Sequence, residues 1–182
     1  MIANNEMSYR LKVTLLGSEP PIWRRFLVKD FPLANLHEII QEAMGWENCH
    51  LYHFTVAGQQ FGDASVSDDV EDAFLTTLAD VVSEEGTTFH YLYDYGDNWE
   101  HEVLVEKIGI AQDRERTLYC LDGERACPPE DVGGIPGYLE FLRVVSDPNH
   151  TDHMSMLEWF GDSFDAEMFD VDAVNRKFAM VR

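Results

Sequence analysis

The sequence predicts an α+β fold: one mixed β-sheet with a helix packed on one face, followed by a C-terminal helical extension. Three observations lead to this prediction. Polar and apolar residues alternate with period two near the N-terminus, apolar residues at helical spacing follow, and two long strand-like runs lie past the middle of the chain. This order of elements is that of a β-grasp (ubiquitin-like) roll with an extra hairpin strand.

The N-terminal hairpin and the helix have the clearest patterns. Residues 9–15 alternate as a half-buried strand does, Pro20 and Pro21 interrupt the pattern, and residues 22–28 are predicted to return as the second strand. Apolar residues then recur at helical spacing over 34–44. Gly45 follows at the position where a helix commonly ends.

The middle of the chain is predicted to complete the sheet. We expect strands at 51–56, around Phe61, at 88–93 and at 99–107, a loop over 63–72, a short helical turn at 77–82, and a turn at 94–98. Beyond residue 110, the Gly- and Pro-rich run 122–134 is predicted to be irregular, and helices are expected over 138–145, 154–160 and 171–180. Asp170 or Asp172 is the candidate N-cap of the last helix.

These elements predict one domain spanning residues 1–182. Residues 1–110 would form the β-grasp-like sheet and its helix, and residues 111–182 the Pro/Gly loop and the helical cap. No internal repeat or long linker divides the chain.

Composition excludes several classes of protein. The 182 residues are 45% apolar and 12% aromatic, which is unlike disordered, collagen-like or disulfide-scaffold chains. The chain carries 34 Asp and Glu against 13 Lys and Arg, a net charge of −21, and no Lys or Arg lies between Lys29 and Lys107. Most of the surface would therefore repel nucleic acids and anionic membranes.

One basic patch is the exception to this acidity. Arg10, Lys12, Arg24, Arg25 and Lys29 are predicted to share one face of the first hairpin, either as a solvated strand face or as a contact for DNA.

The sequence also indicates a cellular compartment. Residues 1–6 lack the features of a secretory leader, and no apolar run is long enough to span a membrane. Three cysteines, Cys49, Cys120 and Cys127, form no disulfide framework. We therefore expect a cytoplasmic protein with reduced thiols.

Four stretches resemble motifs of the plasmid pRiA4b ORF-3-like family. They are residues 36–46 (LHxxIQxAMGW), 91–101 (YxYDYGDxWxH), 120–134 (CxxGxRACPPEDVGG) and 147–153 (DPxHxxH), with a matching tail at 164–170. The resemblance implies a compact α+β fold and no defined activity. Some members are labelled resolvases because they are associated with mobile elements, and the acidity of this chain argues against such a role.

A candidate binding cleft combines two of these stretches. We expect the segment 127–134 to lie near the hairpin 94–101. The candidate cleft residues are Asp94, Asp97, Trp99, His101, Arg125, Glu130 and Asp131. In the alternative interpretation, the aspartates bond the amides of their own turn and Trp99 packs inward.

The candidate metal ligands are four residues of the types that zinc favours: Cys120, Cys127, His150 and His153. The alternative is structural cysteines with capping histidines, and His50 with His53 forms a weaker second pair. No cofactor is expected under the main interpretation, with zinc as the alternative.

These features predict a binding or interaction module without established catalysis, whose partner is a protein or a small ligand. Three alternatives remain: a metal-binding protein, an enzyme with Asp94, Asp97, His101, Cys127, Glu130 and Asp131 around one pocket, and an accessory protein that contacts DNA. No catalytic residue is assigned.

Overall fold

A computed structural model describes residues 7–67, 69–110, 118–161 and 163–180. In it the N-terminal hairpin forms as predicted, because alternate apolar side chains of both strands face one core. The strands are β1 (Met7–Leu15), β2 (Ile22–Lys29), β3 (Tyr52–Val56), β4 (Gln59–Gly62), β5 (Glu71–Asp72), β6 (Thr88–Tyr93), β7 (Trp99–Ile110) and β8 (Leu118–Glu124). The helices are α1 (Leu33–Met44), α2 (Leu78–Val81), α3 (Gly134–Ser146), α4 (His153–Phe160) and α5 (Val171–Phe178).

The eight strands form one mixed sheet in the order β5-β4-β3-β6-β7-β1-β2-β8. Within the described ranges, the pairing of β4 with β5 is parallel and every other strand pair is antiparallel. The long strand β7 lies between β1 and β6 and pairs with both. The α+β class with a mixed sheet is confirmed, and the β-grasp assignment stays a prediction.

One face of the sheet is apolar and carries α1. Alternate residues of β1, β2 and β7 are buried on this face, and they share one core with Leu36 and Ile40 of α1. The helix ends at Gly45, which adopts a left-handed φ of 88° and donates its N–H to the Gln41 carbonyl. The chain changes direction at Gly45, and residues 46–51 connect α1 to β3.

The C-terminal part caps the same core and contains strand β8, which was not predicted; the two-residue strand β5 was also not predicted and lies at the end of the predicted loop 63–72. Strand β8 pairs with β2 at the sheet edge, with an irregularity between Arg25 and Phe26. From the cap, Tyr138 and Phe141 of α3 and Val174 and Phe178 of α5 join the core cluster. Asp170 is the N-cap of α5 and accepts bonds from two amides of its first turn, which decides between the two predicted cap residues.

Candidate functional site

The hairpin turn between β6 and β7 lies against the loop that precedes α3. The Gly133 N–H donates to Asp97 Oδ2 at 3.0 Å. At Gly134, which has a φ of 66°, a Cβ atom would overlap the carbonyl oxygen of Asp97. The hairpin 94–101 and the segment 127–134, which were expected to be neighbours, are therefore in contact. We call their line of contact the seam.

A third segment, residues 46–51 after α1, closes the seam from the side. The Trp46 Nε1–H donates to the Pro128 carbonyl at 3.0 Å, and the Glu47 N–H donates to Glu130 Oε1 at 2.8 Å. The same Glu130 oxygen accepts from the Tyr93 hydroxyl at 3.1 Å. These bonds fix the orientation of the Glu130 carboxylate from two sides.

His50 lies where the three segments meet. Its Nε2 atom is 3.0 Å from Asp131 Oδ1 and 3.7 Å from Asp94 Oδ2. Potential ligand atoms of His50, Asp94 and Asp131 all lie within 4.8 Å of one another, and so do those of Cys49, His50 and Glu130. We call the first group the His50 cluster. Both aspartates have a left-handed φ, 58° at Asp94 and 55° at Asp131, a conformation that Asp adopts more readily than most residues.

Two predicted cleft residues lie beneath the seam and not in it. Trp99 and His101 are fully buried, and both rings pack near Trp46. Burial lowers the pKa of His101 to about 4, so its ring is neutral in the folded protein at neutral pH. The prediction that Trp99 and His101 line an open cleft is therefore wrong, because period two along β7 points both side chains into the core.

Arg125 is also separate from the seam. Its guanidinium donates to the Pro20 carbonyl at 2.9 Å and to Glu167 Oε1 at 3.0 Å, and it connects the β1–β2 turn with the segment before α5. Of the predicted cleft residues, the structure thus gathers Asp94, Asp97, Glu130 and Asp131.

The four predicted zinc ligands are not brought together. Among the described residues, no three ligand atoms from this set lie within 4.8 Å of one another. Burial raises the pKa of the Cys120 thiol to about 11 and that of the Cys127 thiol well above its usual range. His153 bonds the Val144 carbonyl through Nδ1, and His150 contacts Arg143, so both histidines serve local structure.

The positions of His101 and Cys127 also argue against the predicted enzyme pocket. Its six residues do not share one solvent-reachable cavity, because His101 is fully buried below the seam. Burial also holds the Cys127 thiol in its protonated form, which is a poor nucleophile.

The predicted basic patch is divided between the two faces of the sheet. Arg24 is 2% exposed and lies on the core face, where its guanidinium donates to four carbonyl groups, those of Trp23, Ala43, Glu124 and Arg125. Arg25 lies on the other face, with Glu106 2.9 Å from its Nε. The prediction that all five basic residues share one face is therefore wrong, because neighbouring residues of a strand, such as Arg24 and Arg25, point to opposite sides of the sheet.

A cavity of about 330 Å³ opens on the other side of His50. Its inner wall contains His37, Asn48 and Tyr52; the His37 and Tyr52 rings stack with centroids 3.5 Å apart and planes at 7°. Its mouth is apolar, formed by four side chains that are each 47–57% exposed: Leu51, Val66, Phe74 and Tyr95. We call it the Tyr52 cavity.

Carboxylates surround the Tyr52 cavity. Glu38 of α1 and Asp63 after β4 line it directly. Burial raises the pKa of Tyr52, and the negative charges of Asp63, Glu38 and Asp72 raise it further. The Tyr52 hydroxyl is shielded from solvent and has no hydrogen-bond partner in the described part of the chain.

Sequence reasoning missed Cys49 and the Tyr52 cavity, and it ranked His50 low. The sequence offered one indication of this site, because residues 46–51 join a glycine-terminated helix to a strand of the predicted sheet. No spacing motif joins His50 to Asp94 or Asp131, since the contact is made only by the fold.

The mixed sheet, its helical cap and the seam define a class of α+β protein with a known crystal structure. That structure, the protein of unknown function MM3350 from Methanosarcina mazei Go1, has a TM-score of 0.85 and 36% sequence identity, and the match covers 92% of this chain and 97% of MM3350. The chain belongs to the plasmid pRiA4b ORF-3-like family, whose model matches residues 7–173. This confirms the resemblance found in the sequence.

A curated relative supports the same family membership. The uncharacterized protein y4hQ of Sinorhizobium fredii strain NGR234 is 41% identical over 172 residues, covering 92% of this chain and 88% of y4hQ. Neither relative carries a named activity, so the similarity defines the family and the fold. No helix within the described ranges has the length and apolar character needed to cross a membrane.

Proposed function

We propose that this protein is a binding module for a small organic cation with an apolar body, held in the Tyr52 cavity on a β-grasp-like sheet. The observation that carries the proposal is one cavity combining an exposed apolar mouth, stacked aromatic walls and carboxylates. Its volume of about 330 Å³ is in the range typical of small-ligand pockets.

The apolar mouth supports binding because it exposes hydrophobic area beside a concave surface. The exposed apolar side chains lie together at the mouth of one cavity and are not scattered over the surface. They are those of Leu51, Val66, Phe74 and Tyr95. Exposed apolar patches of this kind are typical of ligand-binding grooves.

The charge around the cavity supports a cation as the ligand. Glu38 and Asp63 attract positive charge, and the net charge of −21 adds a long-range field of the same sign. Aromatic faces such as that of Tyr52 also attract cations.

The thiols support the predicted location in a reducing cytoplasm. Cys49, Cys120 and Cys127 are all free, as expected for a protein that is not exposed to an oxidising compartment.

Calorimetric titration with two matched probes tests the proposal. We expect 2-phenylethylamine, a cation at pH 7, to bind about tenfold more tightly than its neutral isostere 2-phenylethanol, a difference of about 1.4 kcal/mol. The double variant Glu38→Gln with Asp63→Asn should remove this preference. Glu84→Gln, at an exposed acid outside the cavity, is the control and should leave it unchanged. Absence of saturable amine binding, or equal binding of the alcohol, contradicts the proposal.

A further inference from the structure

We propose that the His50 cluster, formed by His50, Asp94 and Asp131, binds one divalent transition-metal ion. This site shares His50 with the wall of the organic-cation site, but its two aspartates do not line the Tyr52 cavity. It also differs from the zinc site expected from the sequence, whose four ligands lie elsewhere.

The spacing of the donor atoms fits a shared ion. His50 Nε2 is 3.0 Å from Asp131 Oδ1 and 3.7 Å from Asp94 Oδ2. Two atoms bound to the same ion at about 2.1 Å are about 3.0 Å apart in octahedral geometry and about 3.4 Å apart in tetrahedral geometry. The two His50 distances are close to these values, and the carboxylate oxygens of Asp94 and Asp131 lie within 4.8 Å of each other.

Two potential ligand atoms in or beside the cluster make no hydrogen bond. His50 Nε2 is shielded from solvent and has no hydrogen-bond partner among the described residues, and it contacts Asp131 and Asp94 as an ion pair when the imidazole is protonated. Glu130 Oε2, in the neighbouring group with Cys49 and His50, is also shielded and unpartnered, although Oε1 of the same carboxylate accepts two bonds. Buried polar atoms usually have a partner, so these two atoms have the capacity to bind a cation.

The donor types favour a transition metal. One imidazole nitrogen with carboxylate oxygens suits Zn²⁺, Fe²⁺ or Co²⁺, whereas Mg²⁺ and Ca²⁺ favour oxygen ligands alone. The two aspartates add negative charge that offsets the ion, and water would complete its coordination.

The variants for the test keep the local backbone intact. Asp94→Asn can still accept the Gly96 N–H bond that holds the turn, through its side-chain oxygen. Asp131→Asn tolerates the left-handed φ of this position. His150 and Asp152, whose Nδ1 and Oδ2 atoms are 4.0 Å apart, provide a matched His–Asp contact outside the seam for the control variant Asp152→Asn.

Equilibrium dialysis of chelator-treated full-length protein against Zn²⁺, with Co²⁺ absorption spectra as a second readout, tests the proposal. We expect one ion per chain and a loss of affinity of more than about tenfold in Asp94→Asn and in Asp131→Asn. Asp152→Asn should bind as the parent does. Excess Mg²⁺ should not displace the ion.

Several outcomes would overturn the proposal. One is no stoichiometric Zn²⁺, which would mean that His50 only pairs with the aspartates. Another is binding that survives both aspartate variants, and a third is binding lost in Cys49→Ser but not in Asp131→Asn, which would place the ion beside Glu130. Zn²⁺ binding is measured without amine, so its failure would leave the amine titration of the Tyr52 cavity as a separate test.

Discussion

The Asp97 carboxylate accepts a hydrogen bond from the Gly133 N–H at 3.0 Å, which fastens the β6–β7 turn to the loop before α3. The neighbouring Gly134 is so close to the Asp97 backbone that a side chain does not fit between them. This close backbone approach holds the hairpin turn against the loop along the seam.

Gly134→Ala is therefore expected to destabilise the protein strongly. The left-handed φ costs a non-glycine residue about 1–2 kcal/mol, and the overlap with the Asp97 carbonyl forces the backbone to move. Gly86→Ala has a similar φ of 85° but open space around the added methyl group, so it isolates the conformational cost. Urea denaturation of both variants makes the comparison. Equal losses would show that the backbones are not packed as described.

Arg24→Met is expected to cost about 3 kcal/mol or more of folding stability. The buried guanidinium satisfies four backbone carbonyls and lies over the Phe169 ring at 4.2 Å, so its removal leaves several acceptors unpaired. Arg10→Ala, at a half-exposed arginine paired with Glu106, should cost less than about 1 kcal/mol. Comparable losses in chemical denaturation would contradict the burial of Arg24.

Stability should fall as the pH drops from about 6.5 to 4. Burial lowers the pKa of both His37 and His101 to about 4, below their value in the unfolded chain, so the unfolded chain binds more protons in this window. Each histidine then contributes about 1.4 kcal/mol of lost stability per pH unit. His101→Phe should make this slope shallower by that amount, and the exposed His90→Phe should not. Identical slopes in denaturation at several pH values would refute the buried, neutral state of His101.

The three thiols should differ sharply in reactivity at pH 8. Cys49 is exposed, whereas burial raises the pKa of Cys120 to about 11 and that of Cys127 well above its usual range. Because the thiolate is the reacting form, a disulfide reagent should label one thiol per native chain rapidly. Cys49→Ser should abolish the rapid phase, and denaturation should expose the rest. Fast labelling of Cys127 in the native state would contradict the raised pKa of its thiol.

The sheet and its first helix could be predicted because their patterns are local. The hairpin, α1, β6 and the start of β7 lie within a few residues of their predicted bounds, since period two and helical spacing are set by which face is buried. Strand β8 was missed because it lies at the sheet edge and buries only Cys120, so its sequence lacks alternation. This segment is a strand because its backbone pairs with β2.

The site was predictable only in part, for a related reason. The turn-forming Asp94 and Asp97 and the Pro–Gly loop mark two sides of the seam, but His50 enters it through tertiary contact alone. The position of Arg24 on the core face could have been predicted from the sequence. It shares strand parity with Ile22 and Phe26, which puts it on the core side despite its charge.

His50 lines the Tyr52 cavity on one side and contacts Asp94 and Asp131 on the other. An amine in the Tyr52 cavity that draws the His50 imidazole towards it would take this ligand away from the metal site. A metal ion held by His50 and the two aspartates would in turn keep the imidazole away from the cavity. Thermodynamic linkage makes the two effects equal in size, so each ligand would weaken the other by the same factor. A single side chain could thus turn two small sites into an antagonistic pair.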